Sequence, residues 1–436
     1  MTAPKDFQHQ YFDMLLQSQY WPGPVMTVYQ RGQLEQLLRH ARATVPFYEK
    51  WLDPAFRRDG SVDWDRWTEI PIVRRSDVSL HGDALMSLEP VSGHGPFGEI
   101  STSGSTGDPV LLRITRLMRL VTQVCRWRAN AWDGLDWSKT LVARLADHPQ
   151  RPDGLSLGPW GPSWDPRARQ GKALHVNRSV GPDDLLRLLH ELRPTYFANG
   201  PKMMQLLAEG AQRLGIDIEI DAIIAFGEAV GDADREAAMV SFGARVIELY
   251  SSKEAGAIAH QCPVGTGLHI NAEAVLVEIV NDDNSPTAVG EIGRVIVTPF
   301  SSTAQPLIRY DQGDRAAKGE LCSCGRTLPV LQSIAGRTTA IFRHPDGRMK
   351  SRMLPSDLRM LIGAGQWQVA QVGPNAYEVR FVPRDWGQPH DTAGFVESFR
   401  KIYFEDAQVR LVPVAAVRTT AAGKFIEYVN EWTNMG

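Results

Sequence analysis

Apolar residues in the middle of the chain alternate between two rhythms, one suited to helices and one to buried strands. DDLLRLLHELRP spaces its leucines on one face of a helix, with acids at its start and Pro194 at its end. TYFA follows as a short strand, and PKMMQLLAEGAQRLG then reads as a helix that opens on Pro201 and closes on Gly215. IDAIIAFG is an apolar strand, DADREAAMVSFG a helix that starts near an Asp, and ARVIELY another strand. Strand and helix in alternation predict a parallel sheet. Ligands of such sheets sit beyond the C-terminal ends of the strands. Two polar clusters fall there: Gly227-Glu228 after AIIAF, and SSKEAG, with Glu254, after VIELY. One acid in such a place is an ordinary solvated turn residue. Two acids at consecutive strand ends point to a shared site.

The flanking regions have a different texture. Residues 1 to 95 read as helical and loop-rich, with many Trp and Pro, and QLEQLLRHARATV carries Leu34, Leu37, Leu38 and Ala41 at helical spacing. After about residue 265, LHINAEAVLVEIVND and GEIGRVIVTPF read as strands, and LIRYDQGDR as an apolar strand leading into a Gly-Asp turn. Beyond Gly336-Arg337 the pattern changes again. YEVRFVP puts Tyr377, Val379 and Phe381 on one face, TAGFVESFRKIYFED puts Phe395, Phe399, Ile402 and Tyr403 on one helical face, and QVRLVPV alternates once more. A chain of 436 residues is too long for one ordinary core. The expectation is an α/β chain with a large N-terminal domain, residues 1–336, and a small α+β C-terminal domain, residues 337–436.

Composition narrows the function classes. Hydrophobic content of 43% and charged content of 22% are those of a soluble globular protein. A net charge of -3 speaks against a nucleic-acid partner, which calls for a basic excess. The N-terminal segment has no signal-peptide core, and no stretch approaches the roughly 18 apolar residues of a membrane span. A cytoplasmic protein with no membrane partner is expected. Four cysteines in this length do not make a disulfide scaffold.

STSGSTGDPV, residues 101–110, is too small and polar to build a core. Glycine lets successive N–H groups turn to one side, and Ser and Thr hydroxyls add donors around an anion, but a flexible linker has the same composition. The usual G-x-x-x-x-G-K-[ST] phosphate loop is not met, because Gly104 and Gly107 are too close and no Lys-Ser or Lys-Thr follows.

Taken in order, TSGSTGDP at 102–109, GEA at 227–229, YSSKEAG at 250–256, PLIRYDQGD at 306–314, GR at 336–337 and GK at 423–424 give the chain a family likeness. It resembles the adenylate-forming enzymes, most closely their phenylacetate–CoA ligase-like branch, from roughly residue 30 to residue 430. The resemblance implies a large adenylation domain with parallel and mixed sheets and a small mobile domain that rotates about a hinge near 337. It implies an ATP-dependent ligase that converts an aromatic or arylacetic acid to acyl-AMP and passes the acyl group to CoA, an acid–thiol ligase. Ser103, Gly104, Ser105, Thr106 and Gly107 would wrap the β- and γ-phosphates of ATP. Gly227, Glu228, Tyr250 and Ser251 would border the adenine and ribose, Asp314 would accept from both ribose hydroxyls, and Arg337 would reach the ribose or phosphate. Glu254 would hold Mg²⁺. Lys424 would pair with the carboxylate and the α-phosphate during adenylation. Phe197, Asn199, Gly200, Phe226 and Ala255 are candidates for the acid pocket, and GPWGPSW at 158–164 for its entrance. A homodimer fits what is frequent in the family. Asp108, Lys253, Thr338 and Thr339 depart from the family pattern. Two alternatives stay open: a different acceptor (an amine, a carrier-protein thiol or another nitrogen nucleophile), or a non-catalytic, zinc-stabilised binding homologue.

His260-Gln261-Cys262 and Cys322-Ser323-Cys324 gather three of the four cysteines into two tight clusters. Thiolates and imidazole suit a tetrahedral structural Zn²⁺ that staples two loops, and His260, Cys262, Cys322 and Cys324 are the expected ligands. His269 and His344 have no nucleophile beside them and read as surface or packed residues. Cys125 and RWRANAW, at 126–132, read as parts of a packed amphipathic helix.

Overall fold

The alternating segments between residues 183 and 250 form the centre of a twelve-stranded mixed sheet. The structure is a computed structural model that describes residues 6–101, 110–148, 150–265, 267–337, 342–346, 348–350, 354, 358–384, 390–417 and 428–432. Two short strands, β1 (Phe97–Ser101) and β2 (Leu111–Thr115), pair antiparallel with Ser101 opposite Leu111. The Ser/Gly segment therefore joins the two strands of a hairpin. It lies outside the described residues.

The large sheet contains β3 (Thr140–Leu145), β4 (Leu155–Gly158), β5 (Lys172–Asn177), β6 (Tyr196–Asn199), β7 (Ala222–Phe226), β8 (Arg245–Ser252), β9 (Gly256–Gln261), β10 (Leu268–Ile270), β11 (Val275–Val280), β12 (Ile292–Pro299), β13 (Tyr310–Lys318) and β14 (Val330–Arg337). Their order is β11-β12-β13-β14-β10-β9-β8-β7-β6-β3-β5-β4. Strands β5, β3, β6, β7 and β8 run parallel, as expected of the alternating region. From β8 the sheet continues antiparallel through β9, β10 and β14. Two expectations need correction. LHINAEAVLVEIVND is two strands, broken where Ala274 N–H donates to the Asn271 carbonyl in a tight turn. The expected Gly-Asp turn lies inside β13, where Gly313 adopts a φ of 71°, a conformation that glycine takes without a Cβ clash.

The parallel strands are covered on both faces, as parallel strands require. One face meets the helices Pro182–Leu192, Lys202–Leu214 and Asp232–Phe242 through Leu185, Leu186, Leu189, Met204, Leu207 and Phe242, which pack against Val142, Val176, Phe197 and Ile223. The other face meets the helices Phe7–Ser18 and Arg116–Trp132 through Phe12, Leu15, Val121, Val124 and Cys125, with Trp127, Trp137 and Trp160 filling over Ala143, Ala173 and Ala198. Burial pushes the Cys125 thiol up to about 12, so it packs as a small apolar group.

RWRANAW is helical, but its Arg128 is fully buried. Its guanidinium donates to Glu273 Oε1 at 2.7 Å and to Asn271 Oδ1 at 2.7 Å, and Ser18 Oγ donates to the same Glu273 oxygen at 2.5 Å. This charge-assisted network ties the N-terminal helix, the Arg116–Trp132 helix and the β10–β11 turn together.

By compactness the chain divides into a large unit that takes in most of residues 1–334 and a small unit built on Ala335–Gly436. The small unit carries the hairpin β15 (Phe342–Arg343) and β16 (Met349–Lys350), and a sheet of β17 (Ala364–Gln371), β18 (Ala376–Pro383), β19 (Gln408–Pro413) and β20 (Tyr428–Asn430) in the order β19-β18-β17-β20. The helix Thr392–Ile402 buries Phe395 and Phe399 against Tyr377 and Val379, as the two rhythms of that region predict. No helix among the described residues is long and apolar enough to cross a membrane.

Candidate active site

Strand ends bring three of the sequence motifs into one neighbourhood. The register of β7 and β8 sets Phe226 opposite Leu249, so Gly227 and Glu228 leave β7 beside Tyr250. Gly200 leaves β6 in the same row. A Cβ on Gly200 would stand 3.7 Å from Glu228 Oε1 and 3.9 Å from the Phe226 carbonyl oxygen. From the antiparallel half, β13 delivers Asp314, whose Oδ2 accepts a hydrogen bond from the buried Tyr250 hydroxyl at 2.8 Å. A phenol held against a carboxylate at the rim of a parallel sheet offers an aromatic face and an acceptor pair side by side.

Glu254 sits in the turn between β8 and β9, 13% exposed, with Arg75 Nη1 at 3.9 Å. Sequence reasoning missed Arg75, because nothing local in IPIVRRSDV ties it to residue 254. The turn is closed by Ala255 N–H, which donates to Ser252 Oγ at 2.9 Å. Behind it, Gly256 lies so close to the Arg116–Trp132 helix that a Cβ would fall 2.3 Å from Thr122 Oγ1.

One pocket candidate, Phe197, faces away from this neighbourhood. Phe197 alternates with Ala198 on β6 and points into the closed, aliphatic face, fully buried among the covering helices. Ala255 packs with Ile258 and Tyr250 in a core on the side of the N-terminal segment. Asn199 ends β6 buried, with no hydrogen-bond partner for its Nδ2 among the described residues. Lys253 is exposed in the turn, and Ser251 pairs with Ala257 across the β8–β9 hairpin. Ser103, Gly104, Ser105, Thr106, Gly107, Asp108, Thr338, Thr339 and Lys424 lie outside the described residues. Of Arg337, the backbone is described as the last residue of β14.

The cysteines do meet, but with a different histidine. The ligand atoms of Cys262, His269, Cys322 and Cys324 lie within 4.8 Å of one another. Cys262 and Cys322 sulfurs are 3.6 Å apart, and His269 Nε2 is 3.2 Å from Cys324 Sγ. His269 Nδ1 lies 3.3 Å from the Leu328 carbonyl, which aims Nε2 at the sulfurs. Gly265 makes room for this, since a Cβ there would press to 2.8 Å from Cys322 Sγ.

His260 is therefore not in the set, and His269 is neither a surface nor a merely packed residue. Strand order decides it. Cys322 and Cys324 sit in the turn between β13 and β14, and β14 pairs with β10, so His269 is on the adjacent strand. His260, its cross-strand partner on β9, is one strand farther away. Burial, with Arg128 and Arg126 nearby, pushes the His260 imidazole down to about 3, and neither of its nitrogens has a partner among the described residues.

Comparison with known proteins finds similarity to acid–CoA ligases. A curated phenylacetate-coenzyme A ligase of Thermus thermophilus is 25% identical over 335 residues, covering 73% of this chain and 71% of that one. Among solved structures, a 2-hydroxyisobutyryl-CoA ligase in a postadenylation state matches with a TM-score of 0.72 at 19% identity, over 92% of this chain and 89% of that one. An anthranilate CoA ligase in complex with anthranoyl-AMP matches with a TM-score of 0.54 at 14% identity, over 81% of this chain and 76% of that one. No family model matches the chain.

Proposed function

We propose that the chain belongs to the adenylate-forming enzymes, on their phenylacetate–CoA ligase-like branch, and that it is an AMP-forming acid–CoA ligase acting on an aromatic or arylacetic acid. The observation that carries the reading is the pairing of Tyr250 with Asp314 beside Glu228, three motifs far apart in sequence at one rim of the sheet. In the first half-reaction a carboxylate oxygen of the acid attacks the α-phosphorus of ATP and pyrophosphate leaves. In the second the CoA thiol attacks the acyl carbon and AMP leaves. Neither step needs a covalent enzyme nucleophile; the protein's part is to hold the reactants in line and stabilise charge.

Tyr250 and Asp314 would bind the nucleoside, the aromatic ring against adenine or ribose and the carboxylate on the ribose hydroxyls. Ser103–Gly107 would cradle the phosphates, Arg337 would reach the ribose or phosphate, and Lys424, on the small domain that begins near residue 337, would hold the carboxylate and α-phosphate together. Glu254 is the oxygen donor suited to Mg²⁺, which when bound supplies positive charge to the phosphates.

The four-donor cluster fits structural Zn²⁺. A tetrahedral ion with Zn–S of about 2.3 Å requires sulfurs about 3.8 Å apart, near the separation of the Cys262 and Cys322 sulfurs. With four protein ligands the ion would staple the β9–β10 and β13–β14 turns and take no part in the reaction. Gently purified protein should contain about one zinc per chain; His269→Ala should lose it and His260→Ala should keep it.

The experiment that tests the ligase reading is acid-dependent release of AMP and pyrophosphate from ATP, with and without CoA. Stimulation by CoA with a thioester in the products is expected. An acyl-AMP that ignores CoA would overturn the acceptor. Lys424→Ala should lose adenylate formation by at least about 100-fold while nucleotide binding persists; turnover like that of the unaltered protein would remove Lys424 from the mechanism.

A further inference from the structure

The turn that carries Cys322 and Cys324 also holds the N-terminal segment. Gln19 to Pro22 link the helix Phe7–Ser18 to the helix Gly23–Thr44. Just past Cys324, Thr327 N–H donates to the Gln19 carbonyl at 2.9 Å, and the Thr327 hydroxyl donates to the Trp21 carbonyl at 2.6 Å. Arg326 Nε donates to Gln19 Oε1 at 3.3 Å. The same oxygen accepts from Trp132 Nε1 at 2.6 Å, and Gln19 is 5% exposed. Beyond this strap, Gln30 Nε2 donates to the Ala272 carbonyl at 2.8 Å, and the helix Gly23–Thr44 shares one hydrophobic core with Tyr250 and Ala255. The strap therefore leads into the segment that backs the rim of the reaction site.

Each contact on Gln19 is joined to the Cys/His cluster by a short path. Cys324 Sγ accepts from the Arg326 N–H at 3.4 Å, so the sulfur helps to set the backbone that aims Arg326 and Thr327. The Arg326 guanidinium lies over the Trp132 ring, 4.4 Å from its centroid. Trp132 in turn meets the His269 ring edge-on, with centroids 5.6 Å apart. Packing does little to fix this turn, since no residue from Glu320 to Thr327 is buried. A turn so exposed opens at low cost unless something else anchors it. Four ligands closed on one ion would supply that anchor.

We propose that the Cys/His cluster is a metal-dependent latch for the N-terminal helices: with Cys262, His269, Cys322 and Cys324 on zinc, residues 324–327 form a fixed seat for Gln19–Trp21, and loss of the metal releases that strap while the sheet stays folded. This rests on the zinc reading and not on the ligase reading. The staple thus joins three segments, because the turn that it fixes is the one that grips the strap. Such coupling is reciprocal. If the metal holds the strap, the docked strap slows loss of the metal.

The test is amide hydrogen exchange of the full chain, zinc-loaded against chelated, with reductant present. Without zinc, peptides over residues 16–30 should exchange about 10-fold faster or more, with the helix Pro182–Leu192 unchanged. Arg326→Ala combined with Thr327→Val leaves all four ligands in place; it should keep zinc yet speed exchange at 16–30 by about 3-fold or more. Gln19→Ala removes no ligand, but should speed zinc loss to a chelator by about 5-fold. Faster exchange confined to the two ligand turns, with 16–30 unchanged, overturns the latch and leaves the zinc site standing. So does zinc loss from Gln19→Ala at the unaltered rate. If the zinc-free chain exchanges throughout, the double variant decides: exchange at 16–30 like that of the unaltered protein overturns the latch. Gently purified protein without zinc overturns the zinc reading, and the latch with it.

Discussion

The two faces of the parallel strands are made by the same backbone and differ in what they hold. One is aliphatic and closed, with leucines from three helices seated on Val142, Val176, Phe197 and Ile223. The other carries alanines, tryptophans, the buried Arg128–Glu273 pair, and His175 with no partner among the described residues. The difference teaches that stability and chemistry are divided by side-chain parity. Each strand sends alternate residues to an aliphatic layer and to a layer of small residues packed under tryptophans.

The sharpest way to break the contrast is at the polar face. Arg128→Ala leaves Glu273 buried without its cation and should destabilise the large unit by about 3–5 kcal/mol, read from the urea midpoint. Replacing both partners by apolar residues, as in Arg128→Met with Glu273→Leu, should recover most of that loss. Next comes the closed face. Leu189→Ala removes a fully buried side chain and should cost about 2–4 kcal/mol, with kcat per folded molecule unchanged, since that face lines no site. A large activity loss at full folding would show that the closed face is not merely structural.

Smaller effects sharpen the comparison at the rim. Tyr250→Phe deletes the bond to Asp314 and should raise KM for ATP by about 5-fold, an effect of about 1 kcal/mol, with little change in thermal midpoint. Smallest is a pH effect in the other unit. His344 is held at Nδ1 by Asp346 at 2.8 Å and at Nε2 by Asp406 at 3.2 Å. Asp346 chiefly, then Asp406, raise its pKa above the usual 6.5. A folded-state pKa above the unfolded one gives stability that is complete below about pH 6.5 and fades as pH rises through the folded value. His344→Gln should therefore flatten the fall of the small unit's thermal midpoint across that window; an unchanged pH profile would dismiss the clasp.

Much of this was legible from pattern. TYFA, AIIAF and VIELY alternate with helices, and that run gave the parallel strands in order. The small unit followed from YEVRFVP and TAGFVESFRKIYFED. Where reading failed, the missing information was non-local. LIRYDQGDR suggested a turn at Gly313, yet pairing with β12 carries the strand through it. His260 stood closer in sequence to Cys262 than His269 did, and was the natural ligand by spacing. Phe197 was a pocket candidate because PTYFANGPK resembles a stretch that borders the acid pocket in the family, but in a strand buried on both sides an apolar run does not tell which face each residue takes.

The sequence by itself determined the elements, the order of the motifs and the chemistry available to them, because periodicity, caps and residue types act over a few neighbours. Only the tertiary structure decided which residues meet: Tyr250 with Asp314, Glu254 with Arg75, His269 with three cysteines, Arg128 with Glu273. Those meetings depend on strand order, helix packing and register, and a one-residue slip of β8, β10 or β13 would send Tyr250, His269 or Asp314 to the other face.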